Sequence, residues 1–139
     1  MYVAEETNMT VLHGSCLCGA VTYEISGPLL SAMHCHCSKC RKAQGAAFRS
    51  LASVRAHDLR WVEGEELITY FESSPGFFRG FCSVCGSPIA NKRGPNAIGI
   101  ALGTLDDDPG VLPERHIYVG SKAPWFEITD DLPQHDERP

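Results

Sequence analysis

The sequence predicts a mainly β protein whose sheets are tied together by metal. Three observations carry this. Apolar residues recur with a period of two in short runs, not at helical spacing. Thirteen glycines and nine prolines among 139 residues punctuate those runs with turns. All seven cysteines fall in three tight groups, Cys16/Cys18, Cys35/Cys37/Cys40 and Cys82/Cys85, at spacings that suit metal ligation.

The elements follow in order. Val21, Tyr23 and Ile25 alternate with polar or small residues, which predicts a half-buried strand ended by Gly27-Pro28. Residues 46–54 place Phe48, Leu51 and Val54 among polar neighbours and predict a second strand. Residues 67–71 form a strong β run closed by Ser73-Ser74-Pro75-Gly76, and 77–81 form the return strand that leads into Cys82. Residues 97–102 predict a buried strand interrupted by Gly99. Residues 106–110 read as a solvated turn, because Asp106, Asp107 and Asp108 lack the spacing of a calcium loop. Residues 115–119 predict a last short strand in which His116 packs. Helical signals are confined to single turns at Ser38–Gln44 and at 57–61, where His57 beside Asp58 reads as an exposed turn more readily than as a general base. The expected organisation is one zinc domain over 11–133, with flexible segments at 1–10 and 134–139.

Composition narrows the function classes. An apolar fraction of 43% and a charged fraction of 21% are those of an ordinary globular protein. No apolar run approaches the ~18–20 residues of a membrane span. The first ten residues are polar and acidic, with Glu5 and Glu6, and have neither a basic start nor an apolar stretch to direct export. The expected compartment is the cytoplasm. Seven is an odd count, and a reducing compartment disfavours disulfides. The net charge of -5 disfavours non-specific nucleic-acid binding, which needs clustered Lys and Arg.

The cysteines divide in two ways. In one, Cys37/Cys40 and Cys82/Cys85 form a zinc ribbon and the remaining thiols stand aside. In the other, the two pairs followed by glycine (Cys16-Leu17-Cys18-Gly19 and Cys82-Ser83-Val84-Cys85-Gly86) form a closed four-thiolate site, and Cys35/Cys37/Cys40 forms a second site with three protein ligands. The second division is favoured because it uses all seven thiols and leaves one position open, as catalytic zinc requires. His34 and His36 flank the triplet. In an extended segment His36 points away from Cys35 and Cys37, which makes it a poor fourth ligand. A closed second site, with His34 or a distant residue as the fourth ligand, is the alternative. An iron–sulfur cluster is disfavoured by the glycine-ended knuckles.

Three stretches carry a resemblance: 13–21 around Cys16 and Cys18, 35–48 around the triplet, and 81–88 around Cys82 and Cys85. A fourth, 116–125, contains Lys122 and Trp125. Over about 12–133 the sequence resembles the glutathione-dependent formaldehyde-activating enzyme family, which includes the centromere protein V domain. The resemblance implies a β-tent fold with mostly antiparallel sheets. It implies a structural zinc on Cys16, Cys18, Cys82 and Cys85 and a catalytic zinc on Cys35, Cys37 and Cys40. It also implies a carbon–sulfur lyase that joins glutathione and formaldehyde into S-hydroxymethylglutathione. On that reading Lys39, Arg41, Lys42 and Arg49 offer an anion-binding rim for glutathione's carboxylates, and Lys122 and Trp125 line the pocket. The expected partners are a small thiol and a small aldehyde, with no nucleic acid and no membrane. The competing class is a non-catalytic zinc module that binds a protein.

Overall fold

Alternation in short runs is realised as two sheets that share one core. The computed structural model describes residues 10–139, so the expectation for 1–10 falls outside the described residues except at Thr10. The small sheet contains β1 (Leu12–Ser15), β2 (Thr22–Ile25) and β5 (Leu59–Glu63), in the order β1-β2-β5. The large sheet contains β3 (Ser31–Cys35), β4 (Arg49–Arg55), β6 (Ile68–Ser74), β7 (Phe77–Cys82), β8 (Pro88–Arg93), β9 (Ala97–Ala101) and β10 (His116–Ile117). Its order is β10-β3-β4-β9-β8-β7-β6. Every pairing is antiparallel except β10 with β3. One α-helix, α1 (Ser38–Gln44), follows β3.

The period-two residues do what their pattern requires. Val21, Tyr23 and Ile25 are buried and meet Val54, Ile89, Ala90 and Ile100 of the large sheet in the main core. Tyr23 packs edge-on against Trp61 at 5.7 Å and reaches Thr104 Oγ1 at 2.6 Å. Burial pushes its phenol up to about 12. Gly14 sits opposite Tyr23, and a Cβ there would lie 2.1 Å from the ring, so the absence of a side chain in β1 is what admits the aromatic into the core.

Several expectations are corrected. The turn expected over 57–61 is a short 3-10 turn, Ala56–Asp58, followed by β5, because Leu59 and Trp61 pair against Ile25 and Tyr23. The strand expected over 46–54 begins only at Arg49, since Gly45 caps α1 in the left-handed region. Strands β1, β3 and β8 carry little alternation of their own, and their neighbours specify them. Residues 133–137 hydrogen-bond to the backbone of 116–120.

The acidic turn at 106–108 clasps β1. Asp106 accepts from Ser15 Oγ, and Asp107 accepts from His13 N at 2.7 Å and lies 2.8 Å from His13 Nδ1. The hydrogen bond to Asp107 raises His13 above its ordinary 6.5, and the same bond lowers Asp107. A raised histidine contributes stability that is complete below its unfolded pKa and lost as pH rises through the folded one. A lowered aspartate contributes above its unfolded pKa and loses that contribution as pH falls through the folded one. The pair therefore stabilises β1 between the carboxylate and imidazole ranges. An NMR titration of the His13 ring is expected to show a midpoint above 6.5 that falls in Asp107→Asn, with Glu24 and Asp106 still raising it. An unchanged midpoint in that variant would show that the bond does not form in solution.

Candidate metal centres and a cationic cleft

The first cysteine cluster joins the two sheets. Cys16 and Cys18 lie in the β1–β2 connection, and Cys82 ends β7 with Cys85 one turn on. Gly19 and Gly86 both adopt left-handed φ, 81° and 82°, which an L side chain resists. Gly86 N–H donates to Cys82 O at 2.7 Å, closing the CxxC turn. Backbone N–H groups point at the sulfurs, Val21 to Cys16 Sγ at 3.3 Å and Val84 to Cys82 Sγ at 3.4 Å. Cys16 and Cys18 sulfurs lie 3.6 Å apart, and Cys18 and Cys82 sulfurs 3.9 Å apart. All four sulfurs, Cys85 included, lie within 4.8 Å of one another, and a tetrahedron with metal–sulfur bonds of about 2.3 Å has sulfur–sulfur edges of about 3.8 Å, so these four thiols fit one zinc ion.

The second cluster is built by the step from strand to helix. Cys35 ends β3, Cys37 caps α1, and Cys40 lies in its first turn. Cys37 Sγ accepts from Cys40 N–H at 3.3 Å. All three sulfurs lie within 4.8 Å of one another, and among the described residues no fourth Cys, His, Asp or Glu joins the group. Hydrogen bonds from Cys35 and then Cys40 hold the Cys37 thiol far below its usual range, while the same crowding pushes Cys35 up. Three sulfurs this close ionise together only beside a cation, and this donor set fits a zinc ion with three protein ligands.

His36 turns away from the sulfurs, as the extended geometry predicts. It is fully buried, with Nε2 2.8 Å from His116 Nδ1, and His116 Nε2 lies 3.0 Å from Asp130 Oδ2. The three side chains form one continuous line of hydrogen-bonding groups, from His36 through His116 to Asp130. Burial above all pulls His36 down to about 4, so it is neutral at pH 7. His34 Nδ1 bonds Ser50 Oγ at 2.9 Å.

The triplet opens on a cleft of about 570 Å³ over the large sheet. Arg79, Asn91, Gly99 and Ser53 form one cross-strand row through β7, β8, β9 and β4, and all four line it. A Cβ on Gly99 would lie 2.6 Å from Asn91 Oδ1. Arg79 Nη1 donates to Cys40 Sγ at 3.6 Å and Nε to Ser73 Oγ at 2.9 Å. Arg79 and Arg93 lie 4.9 and 5.0 Å from the Phe77 ring. Arg49 is buried, and burial lowers its guanidinium only to about 10, so it stays charged at neutral pH. With Lys39 and Arg138, five cations line the cleft, and no described Asp or Glu does.

The family model for the glutathione-dependent formaldehyde-activating enzyme matches residues 11–121, spanning all seven cysteines. The chain belongs to that family. A Halomonas elongata protein provisionally named a glutathione-dependent formaldehyde-activating enzyme is 32% identical over an alignment 128 positions long that covers 85% of this chain and 81% of the relative. A crystal structure of a Rhodobacter sphaeroides protein, a structural-genomics target, matches with a TM-score of 0.59 and 33% identity, over 73% of this chain and 91% of its own. The mainly β architecture is the one expected for the family. Among the described residues no helix is long and apolar enough to cross a membrane.

Of the expected site residues, the family fold brings Cys35, Cys37, Cys40, Lys39 and Arg49 to the cleft. It turns others away. Arg41 Nε donates to His36 O at 3.3 Å. Lys42 is exposed on α1 and outside the cleft lining. Lys122 Nζ donates to Ala123 O and Phe126 O, outside the cleft, and Trp125 is 71% exposed. Arg79 and Arg93 were not singled out by sequence. Their signal was the return strand itself, since Phe77 and Arg79 share a face and Phe77 pairs with Arg93.

Proposed function

We propose that this protein is a zinc-dependent carbon–sulfur lyase that adds glutathione to formaldehyde, or a similar thiol to a small aldehyde. The observation that carries the reading is a three-sulfur cluster with no fourth ligand among the described residues, facing a cleft of cations. Cys35, Cys37 and Cys40 hold one zinc ion and Cys16, Cys18, Cys82 and Cys85 the other. Zinc at the triplet supplies the Lewis acidity that keeps an incoming thiol ionised at neutral pH.

The chain's own groups do the rest. Arg49, Arg79 and Arg93 attract and orient a thiol that carries carboxylates, as glutathione does. Arg79, bonded to Cys40 Sγ, also offsets the charge of the sulfurs. Met33, Leu51 and Ile117 give the cleft an apolar wall that limits water. The substrate thiolate attacks the carbonyl carbon, a C–S bond forms, and the carbonyl π pair moves to oxygen, which takes a proton to give the hydroxymethyl thioether. Holding both reactants in one cleft supplies much of the acceleration. A reducing compartment, the cytoplasm, keeps the seven thiols available.

Zinc-loaded protein mixed with glutathione and formaldehyde is expected to speed adduct exchange, read by NMR, by at least about 10²-fold over the blank. A rate equal to the blank would remove this substrate pair. It would favour a zinc module that meets a protein through the exposed knuckle residues Leu17 and Val84.

A further inference from the structure

The family match ends at residue 121, yet the chain beyond it returns to the site. His116 N–H donates to Pro133 O at 2.9 Å, and His135 N–H to His116 O at 2.9 Å. Val119 N–H then reaches His135 O at 2.9 Å, and Tyr118 N–H reaches Glu137 O at 3.0 Å. Gln134 bridges His116 in parallel register. The segment therefore lies along β10 as an added edge, and β10 pairs in turn with β3, which ends in Cys35. Edge cover by itself needs only backbone. Two further observations go beyond cover.

The first is Tyr118. Among the described residues it is the one non-glycine with positive φ, 57°. Such a conformation in a bulky residue persists only where the surroundings enforce it, and it clusters at ligand sites. Here it turns the chain so that Tyr118 and Ser121 line the cleft.

The second is Arg138, one residue past the last of those hydrogen bonds. It lines the cleft with Lys39, Arg49, Arg79 and Arg93, which all lie within the matched segment. Among the described residues it has no carboxylate partner within 4.0 Å. A guanidinium brought to a cleft without acidic lining, by a backbone anchored on both sides of a strained turn, is placed to meet an anion from solution.

We propose that the segment after the family-matched region is a working wall of the cleft, and that its Arg138 is a specificity-determining residue that binds a carboxylate of the anionic thiol. This rests on the reading of the cleft as a thiol site. It makes the discrimination between charged and uncharged thiols a property of the segment beyond the family-matched region.

The test uses the full-length zinc-loaded chain and two thiols, glutathione and the neutral 2-mercaptoethanol, with binding followed by calorimetry. Arg138→Ala is expected to weaken glutathione about tenfold, the size of one charge-assisted hydrogen bond. It should leave 2-mercaptoethanol within about twofold, and Arg138→Lys should recover part of the loss. Unchanged glutathione affinity in Arg138→Ala overturns the proposal. So does an equal loss for both thiols, which marks damage to the cleft and not charge recognition. If the unsubstituted protein binds neither thiol, the thiol reading fails by itself, and inorganic pyrophosphate becomes the probe. Weaker pyrophosphate binding by Arg138→Ala then sustains Arg138 as an anion-binding residue. Equal binding, or none by either protein, overturns it.

Discussion

Cys82→Ser is expected to leave the protein without a cooperative fold at 25 °C. Cys82 is fully buried at the end of β7 and belongs to the main core together with Cys16. The cluster it completes connects the β1–β2 loop of the small sheet to the β7–β8 loop of the large one, 64 residues apart along the chain. Apparent binding free energies for structural zinc are about 10–16 kcal/mol, against a total stability of about 5–15 kcal/mol for a typical domain. Losing one of four thiolates gives up a large part of the first quantity and leaves a polar hydroxyl in the core. Circular dichroism through a thermal ramp reads the result. Strong chelation of the unsubstituted protein should reproduce it. A cooperative transition within about 5 °C of the parent would show that the cluster is not what joins the sheets.

Cys37→Ser is expected to do the opposite: keep the fold and remove at least about 10³-fold of the adduct-forming rate. The reason lies in the helix cap. Cys37 is the N-cap of α1, and its sulfur accepts from Cys40 N–H. Serine is among the preferred N-cap residues, and its oxygen accepts the same bond, so the cap, worth about 1 kcal/mol, survives. Cys37 is only half-buried, and the second core cluster it borders is centred on Cys35, Cys40 and Ile117. What the substitution removes is the soft thiolate ligand. A melting temperature within a few degrees of the parent, with activity gone, is the expected pair of readings. Unfolding as severe as that of Cys82→Ser would assign both clusters a structural role.

The two cysteine groups behind these predictions were legible in the chain. Spacing alone separated the glycine-ended pairs from the triplet, because zinc's coordination number and the turn geometry of CxC and CxxC are local chemistry. The strand at Val21, Tyr23 and Ile25 and the hairpin of β6 and β7 were legible for a similar reason: alternation and the turn at Pro75-Gly76 are encoded within a few residues. The direction of His36, away from the sulfurs, also followed from local geometry.

The cleft cations were not local. Lys39 and Arg49 were found because they sit near the triplet in sequence. Arg41 and Lys42 were expected on the same ground and lie elsewhere, since a seven-residue helix distributes neighbouring side chains around its axis. Arg79 and Arg93 reach the site only through cross-strand register, and Arg138 through backbone bonds to 118–120. Strands such as β1 and β8, with Gly14, His13, Asn91 and Lys92, take their conformation from partners that no short window contains.

By itself, then, the sequence determined the fold class, the family and the division of the cysteines into a group of four and a group of three, because alternation, family motifs and cysteine spacing are all written in short stretches of chain. The tertiary structure decided which charges line the cleft beside the three sulfurs and that the segment over 133–137 lies along β10. Both depend on which strands become neighbours, and that is settled by burial of a shared core between sheets whose strands are distant in the chain.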